Sequence, residues 1–497
     1  PDPLFVNPSA SNYSLQKGSP CIDAASQSGS STEDILGVNR YAPDMGAYEF
    51  GGGSYSISGT VDGIGLSSVR VWIGPISVIA NPSFTFNNVP NGSYMLVATG
   101  TGYAPVPNGW SNPVVVSGSN VTGRNFNLPV TPPISLYVST TGHDDTGDGT
   151  SSNPFRTIQK GVLTAVPPNG TVNLMPGTYT SWWNKNVEYK GKGIHVTAYP
   201  GGAAPVIDCE YDGRAFHVHE NETRARLSNV EIINGQVIGN GGGILIDETG
   251  ALTITNCYIH DCEATNGAGV YIDSLSDWGS GIDLCTIDNN ITSGGYNRGG
   301  GVYAIGATLT DSTISNNAIG GEWGGEGAGV CAEESVITDC IISGNSFLGS
   351  YGHSGGLSGG DLTITGTEIS GNSSPEGSGG ANVYDSSLTN CDIINNTSDG
   401  AVAGISVGQI YGTMTLTNCL ISGNISQDNV GGLDSYGATI DSCLIEGNSA
   451  VFNVGGARIQ DATIVNSIIA GNSAGNGGGL SLSKDSTALN CTIADND

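Results

Sequence analysis

The feature that most restricts this chain is a repeat of 24–28 residues that occupies the sequence from about residue 230 onward. One isoleucine position marks it. Ile259, Ile287, Ile314, Ile342, Ile369, Ile393, Ile421, Ile445, Ile469 and Ile493 follow one another at intervals of 28, 27, 28, 27, 24, 28, 24, 24 and 24. Around that position the sequence reads N-C-Y-I-H-D-C at 256, D-C-I-I-S-G-N at 339, N-C-L-I-S-G-N at 418 and N-C-T-I-A-D-N at 490. A glycine precedes a second short apolar strand in each unit, from Gly243 and Gly269 to Gly456 and Gly479. A unit of this kind cannot bury its apolar face alone, and stacking on its neighbours hides it. The units are too long for hexapeptide solenoids, lack the asparagine pattern of Leu-rich repeats and show no helical period. The expected fold is all-β: a right-handed parallel β-helix of three strands and about 24–28 residues per coil.

Like positions of successive coils stack in such a fold, so the ten isoleucines predict an inward ladder. Seven of the eleven cysteines fall two residues before the isoleucine: Cys257, Cys285, Cys340, Cys391, Cys419, Cys443 and Cys491. Cysteine packs as a small hydrophobe, and other residues, mostly Ser or Thr, take the place elsewhere. A column of buried, reduced thiols follows. Axial disulfides satisfy the distance criterion, but stacked side chains point in parallel, and no histidine joins the column to make a metal site. The Asn that closes each G-N, N-N or D-N pair, from Asn290 to Asn496, is expected at a turn. Asn tolerates the left-handed conformation there, and its stacked amides can hydrogen-bond along the axis.

Three segments precede the repeat. Residues 134–169 contain I-S-L-Y-V, the loop T-G-H-D-D-T-G-D-G-T and N-P-F-R-T-I-Q-K-G-V. Phe155, Ile158, Val162, Leu163 and Val166 have helical spacing and predict a short amphipathic helix that caps the open end of the solenoid. This stretch, followed by the first coils from 170, resembles the N-terminal cap of bacterial pectin-lyase-like β-helix proteins. Residues 55–128 alternate as short strands (S-I-S-G-T-V, V-R-V-W-I, F-T-F-N-N-V-P-N-G-S-Y) and predict a small sandwich. They resemble the carboxypeptidase-regulatory-like, Ig-type domains of bacterial surface proteins. Residues 1–50 contain D-P-L-F-V-N-P, L-Q-K-G-S-P-C-I-D-A and D-M-G-A-Y-E-F. They resemble the closing module of choice-of-anchor Q surface proteins, which in that family follows the last coil rather than preceding the first. The resemblances cover nearly the whole chain and specify fold better than activity.

That order suggests a chain cut from a longer array, or a protomer whose last coil docks on the next copy. Asp2, Pro3, Leu4, Phe5 and Val6 at one end and Cys491, Ile493 and Asn496 at the other are the candidate assembly residues, and further copies the expected partners. Fifteen basic residues face 45 acidic ones, a formal charge of −30. This surface repels phosphate, which excludes nucleic acid and anionic membranes. No apolar run is long enough to span a membrane. The expected role is an extracellular or cell-surface structural filament or stalk; a glycan-binding adhesin and a polysaccharide lyase or hydrolase are the alternatives.

No catalytic residue is identified, and the chain is not expected to be an enzyme. From 230 onward 29 acidic residues accompany only Arg298, Arg458 and Lys484, in different parts of the repeat or distant coils. His260 and His353 stand alone, and the adjacent Glu333 and Glu334 are read as solvated. Outward strand positions such as Leu245, Tyr271, Tyr303, Cys331 and Asp434 make no sustained aromatic stripe, so no sugar-binding face is signalled. No cofactor is required, but Asp144, Asp145 and Asp148 offer three carboxylates that can ligate Ca2+. Arg214, Arg224 and Arg226 form the densest cationic stretch. His217 and His219 share one face of a strand, a spacing compatible with a metal but read as surface. Trp182 and Trp183 are expected to be buried, or else to form a sugar platform.

Overall fold

The computed structural model describes residues 5–7, 12–15, 55–62, 69–73, 76–80, 82–99, 106–127, 135–167, 170–222, 224–274, 279–321 and 323–497. The chain divides into two compact units, Pro1–Val172 and Asn173–Asp497.

In the first unit Phe5–Asn7 pairs antiparallel with Asn12–Leu15. A sheet of Ser83–Val89, Tyr55–Asp62, Phe126–Asn127 and Val106–Pro107 and a second of Ile76–Ala80, Val69–Ile73 and Leu96–Thr99 share one core. Alternation explains that core. Phe84 and Phe86 point inward while Ser83 and Thr85 face water, and Ile57, Val71, Ile73 and Phe126 meet them from the other strands. Farther along, Ser135–Val138 is followed by a loop and the helix Ile158–Thr164. Thr157 caps the helix by accepting the Lys160 N–H, and Phe155, Ile158, Val162 and Leu163 are buried.

The second unit is a parallel β-helix, the fold expected from the repeat. Its first sheet includes His195–Ala198, Ala225–Ser228 and Leu252–Thr255 and continues to Thr487–Leu489, one strand per coil. The second contains thirteen strands, from Thr178–Tyr179 to Thr492–Ala494. The third contains twelve, from Val187–Glu188 to Leu480–Ser483. Ile259, Ile287, Ile314, Ile342, Ile369, Ile393, Ile421, Ile445, Ile469 and Ile493 stand directly over one another in the second sheet. The first nine have no solvent exposure, and Ile493 is 52% exposed. Burying such a side chain contributes about 2–3 kcal/mol, so the ladder is a major source of stability.

The corners explain the recurrent polar letters. Between first and second sheets one residue takes a positive φ, for example Asn256, Asp339, Asn390 and Asn418, and the next is the Cys or Ser of the column. Cys257, Cys285, Cys340, Cys391, Cys419 and Cys443 are buried and unpaired. Each column residue uses its heteroatom on the backbone. Cys443 Sγ donates to the Asp441 carbonyl and Cys443 N–H donates to Ser467 Oγ at 3.0 Å. The second corner repeats the device with asparagine. Here the left-handed residue is not the recurrent Asn but the one before it: Asn289, Asn316, Gly344, Asn395, Gly423. The recurrent Asn is instead turned inward. Asn290, Asn317, Asn345, Asn372, Asn396, Asn424, Asn448 and Asn472 are essentially unexposed. Each donates its backbone N–H and one Nδ2–H to Oδ1 of the next Asn at 2.8–3.1 Å. The other Nδ2–H donates to a carbonyl of the preceding coil, Ile369 O for Asn396.

Candidate functional site

Each third-sheet strand begins after the recurrent glycine, and its first and third residues point into the core. Val270 and Ile272, Val302 and Ala304, and Val330 and Ala332 are buried there. The second and fourth residues face outward, which places Tyr271 beside Tyr303 and Tyr303 beside Cys331 on neighbouring strands. The two tyrosine rings stack with centroids 4.6 Å apart and planes 9° from parallel. They are nevertheless buried in a small cluster with Leu245 and Cys331.

Their surroundings carry the chemistry. The short strands Asn297–Arg298 and Gly325–Glu326 pair in register, so Arg298 lies beside Glu326. Arg298 Nε is 3.3 Å from Glu326 Oε2, and the Tyr296 hydroxyl donates to Glu326 Oε1 at 2.8 Å. Arg298 also hydrogen-bonds Tyr303. One strand on, Glu333 accepts the Tyr384 hydroxyl at 2.7 Å and the Gly360 N–H at 3.0 Å. Burial pushes the Glu333 carboxyl above its ordinary range, and the charges of Glu326 and Asp361 add to this while the two hydrogen bonds oppose it. Burial, then the Glu326 and Glu333 charges, also raises the Cys331 thiol, which stays protonated. Burial lowers the Arg298 guanidinium, but Glu326 and its neighbours outweigh this and keep it charged.

The loops that lead into these strands carry three exposed aromatic rings in three successive coils: Tyr296, Trp323 and Tyr351, 43%, 74% and 56% exposed. Their loops interlock. A methyl on Gly295 would lie 3.8 Å from the Trp323 ring, and one on Gly324, at φ +76°, would strike Tyr351. His353 lies 6.3 Å from the Tyr296 ring. The sequence signal is loop length rather than strand pattern. Asn290 to Gly301, Asn317 to Gly329 and Asn345 to Gly356 span eleven or twelve positions, against eight from Asn372 to Gly380 or Asn448 to Gly456. The additional residues are the ones that carry the rings. Exposed aromatic faces beside carboxylates and a guanidinium suit sugar rings, which offer C–H faces and hydroxyls. A carboxyl raised by burial beside a second acidic side chain is the arrangement used for general acid catalysis.

The other candidates fall elsewhere. Glu333 belongs to this group and is half-buried, which corrects its reading as solvated, whereas Glu334 occupies a left-handed corner at φ 49°. Trp182 and Trp183 sit on a 3-10 turn and are both exposed, contrary to the burial expected for them; Asn184 is the buried residue of that turn. Asp144 accepts the Arg156 and Thr157 N–H groups and the Thr157 hydroxyl, and Asp148 accepts the N–H and hydroxyl of Thr150. These contacts close the loop before the helix, and they hold the Asp148 carboxyl below its usual range. Asp145 is in the same loop. His217 and His219 do meet a third ligand-type side chain, Glu188, with one ligand atom of each within 4.8 Å of the others, the one such group among the described residues. His260 bridges Asp261 and Glu231 and stacks on Tyr258. Arg458 makes a two-pronged contact with Asp434 farther along the third sheet, and Lys484 pairs with Asp461. Of the assembly candidates, Asp2, Pro3 and Leu4 lie outside the described residues, and Phe5 and Val6 lie on the strand Phe5–Asn7. Cys491, Ile493 and Asn496 belong to the final strand pair and corner of the second sheet, where Asn496 accepts from Asn472. No helix among the described residues is long and apolar enough to cross a membrane.

Residues 242–410 match a family model described as "Right handed beta helix region", which agrees with the fold and its hand. No curated protein matches the sequence. Among solved structures the chain is similar to XylC in complex with xylose, at 13% identity and TM-score 0.38, over 68% of this chain and 76% of that one. A GH136 lacto-N-biosidase from Eubacterium ramulus is 14% identical with TM-score 0.34, over 73% and 68%. The catalytic domain of a GH87 α-1,3-glucanase, in complex with tetrasaccharides, is 11% identical with TM-score 0.35, over 88% and 87%. These likenesses concern the fold. The expectation that the chain is not an enzyme is withdrawn, because proteins similar to it in fold include a lacto-N-biosidase, a rhamnogalacturonan lyase and a pectate lyase by title, so the fold gives no ground for excluding catalysis. The count of scattered basic residues behind that expectation fails for a physical reason. Arg298, placed in isolation by its position in the repeat, is gathered with Glu326 and Tyr303 by the loop that bears it.

Proposed function

We propose that the outward side of the third sheet around residues 296–384 binds a neutral polysaccharide and that Glu333 serves as the acid that cleaves it. The observation that carries this reading is the half-buried Glu333 carboxyl, raised by burial and by the Glu326 charge, where Glu326 itself accepts the hydroxyl of the exposed Tyr296 and the neighbouring loops expose Trp323 and Tyr351. Stacking on the rings would hold the sugar, and Glu326, Arg298 and Tyr384 would orient its hydroxyls. The formal charge of −30 weighs against polyanionic glycans, which the surface repels. The setting is extracellular or cell-surface, where such polymers occur.

The test compares wild type, Trp323→Ala and Glu333→Gln on a panel of neutral glucans, xylans and arabinans, with affinity electrophoresis for binding and released reducing ends for cleavage. Trp323→Ala should weaken binding about tenfold, the worth of one stacked ring. Glu333→Gln should bind normally and lose roughly 10²–10⁴ in rate, the share of a general acid. Binding without cleavage by the wild type would leave a surface adhesin. Binding that ignores Trp323→Ala, or no binding, would refute the site.

A further inference from the structure

Toward the other end of the third sheet a different group occupies the same outward face. Glu188 and His217 are register partners on adjacent strands, and His219 is the next outward residue after His217. The two imidazoles stack with centroids 4.1 Å apart and planes 20° from parallel. His219 Nε2 is buried and makes no hydrogen bond. It lies 3.9 Å from Glu188 Oε1 and 3.8 Å from Glu220 Oε1, and His219 Nδ1 lies 3.9 Å from Glu248 Oε2. These gaps are too wide for hydrogen bonds. They are close to the separation of about 3.3 Å between two ligands on a tetrahedral ion with bonds of about 2.0–2.1 Å. Asp247 grips His217 through Nε2 at 2.9 Å, the carboxylate–imidazole contact that orients ligating histidines. Lys190 meanwhile bridges Glu188 and Glu220. Four carboxylates, Glu188, Glu220, Asp247 and Glu248, therefore surround one ammonium and two imidazoles.

We propose that Glu188, His217 and His219 bind a divalent transition metal of the Zn2+ class, with Lys190 as the cation that holds the carboxylates while the ion is absent. Two nitrogen donors and one carboxylate favour Zn2+ over Ca2+, which takes oxygen ligands almost exclusively. The ion would bind His217 through Nδ1 and tie two neighbouring coils together. The site lies four strands from Cys331, about 19 Å along the sheet, so it is separate from the Glu333 group and its role is to brace the early coils.

The test strips the full chain with a chelator, dialyses it against Zn2+ or Co2+ at neutral pH and measures bound metal together with the visible Co2+ spectrum. One tightly held equivalent is expected, with the intense bands of four- or five-coordinate Co2+. His217→Gln and His219→Gln should each remove those bands, and Asp247→Asn should cut affinity 10–100-fold. Lys190→Gln should tighten metal binding, because it removes the competing cation. No retained metal, a weak octahedral Co2+ spectrum in the wild type, or unchanged binding in both histidine variants overturns the site. The wild-type spectrum decides even where a variant fails to fold.

Discussion

Replacing Asn396 with Ala should cost far more than its size suggests. The side chain is fully buried. Its Oδ1 accepts from Asn372 N–H at 2.9 Å and from Asn372 Nδ2 at 3.1 Å. Its Nδ2 donates to Ile369 O at 2.9 Å and to Asn424 Oδ1 at 3.0 Å. Alanine keeps only the backbone contacts, the N–H donation to Asn424 and the carbonyl that accepts the Ile425 N–H. The Asn372 N–H, the Asn372 amide and the Ile369 carbonyl are then left without those partners inside the coil, at about 1–3 kcal/mol each. With some relaxation the total is about 3–6 kcal/mol. The neighbouring Asn395 sets the comparison. It is exposed at φ 56°, so Asn395→Ala should cost about 1–2 kcal/mol, the penalty of a left-handed residue, and Asn395→Gly very little. A solenoid need not unfold in one step, so the assay is native-state hydrogen exchange read at the amides of residues 369–424, beside urea unfolding. Equal and small effects at 395 and 396 would show that the asparagine column does not stabilise the coil.

Four further outcomes follow from contacts already described. Burial lowers the Lys192 ammonium to about 7, so between there and its unfolded value near 10.4 the unfolded chain holds more protons and stability rises with pH. Lys192→Met should therefore raise Tm most at pH 7, with a gain that shrinks toward pH 10, and a pH-independent difference would refute this. Cys443→Ser should shift stability by less than about 1 kcal/mol, because Ser467 already performs the column's task one coil on, whereas a valine there loses the hydrogen bond; urea midpoints decide. Leu284 is exposed at φ 52°, and Leu284→Asn should stabilise by about 1 kcal/mol in the same measurement. Cleavage by protonated Glu333 should fall on the alkaline side. Tyr384→Phe removes a hydrogen bond that lowers that carboxyl, so the alkaline limb should move to higher pH, visible in the pH–rate profile.

The recurrent isoleucine made the solenoid legible, because a residue that must face the core in every coil fixes the length of the coil. The corners were legible only in kind. Asparagine and glycine announce a turn, but the left-handed position and the inward amide are adjacent residues with different tasks, and N-N pairs such as Asn395–Asn396 conceal which is which. The site was hidden for another reason. Strand alternation directs attention to Tyr271 and Tyr303, which are covered, whereas Tyr296, Trp323 and Tyr351 come from insertions of three or four residues outside the strand pattern. Glu333 likewise reads as one of many surface acids until Tyr384, two coils away, is seen to hold it.

The asparagine column also has a direction. Backbone hydrogen bonds between coils run both ways along the axis: Ile341 N–H reaches back to Ser312, and Asn316 N–H reaches forward to Ser343. Between the buried amides of this column every donation runs forward, from Asn290 to Asn317, from Asn317 to Asn345 and so on to Asn496, whereas exposed asparagines such as Asn418 and Asn256 donate backward to Asn390 and Asn229. Those amide dipoles add instead of cancelling, as peptide dipoles do along an α-helix, and each polarises the next. The buried column therefore carries an axial electric polarity that no count of charges reveals, and one alanine at its middle would divide it into two weaker halves.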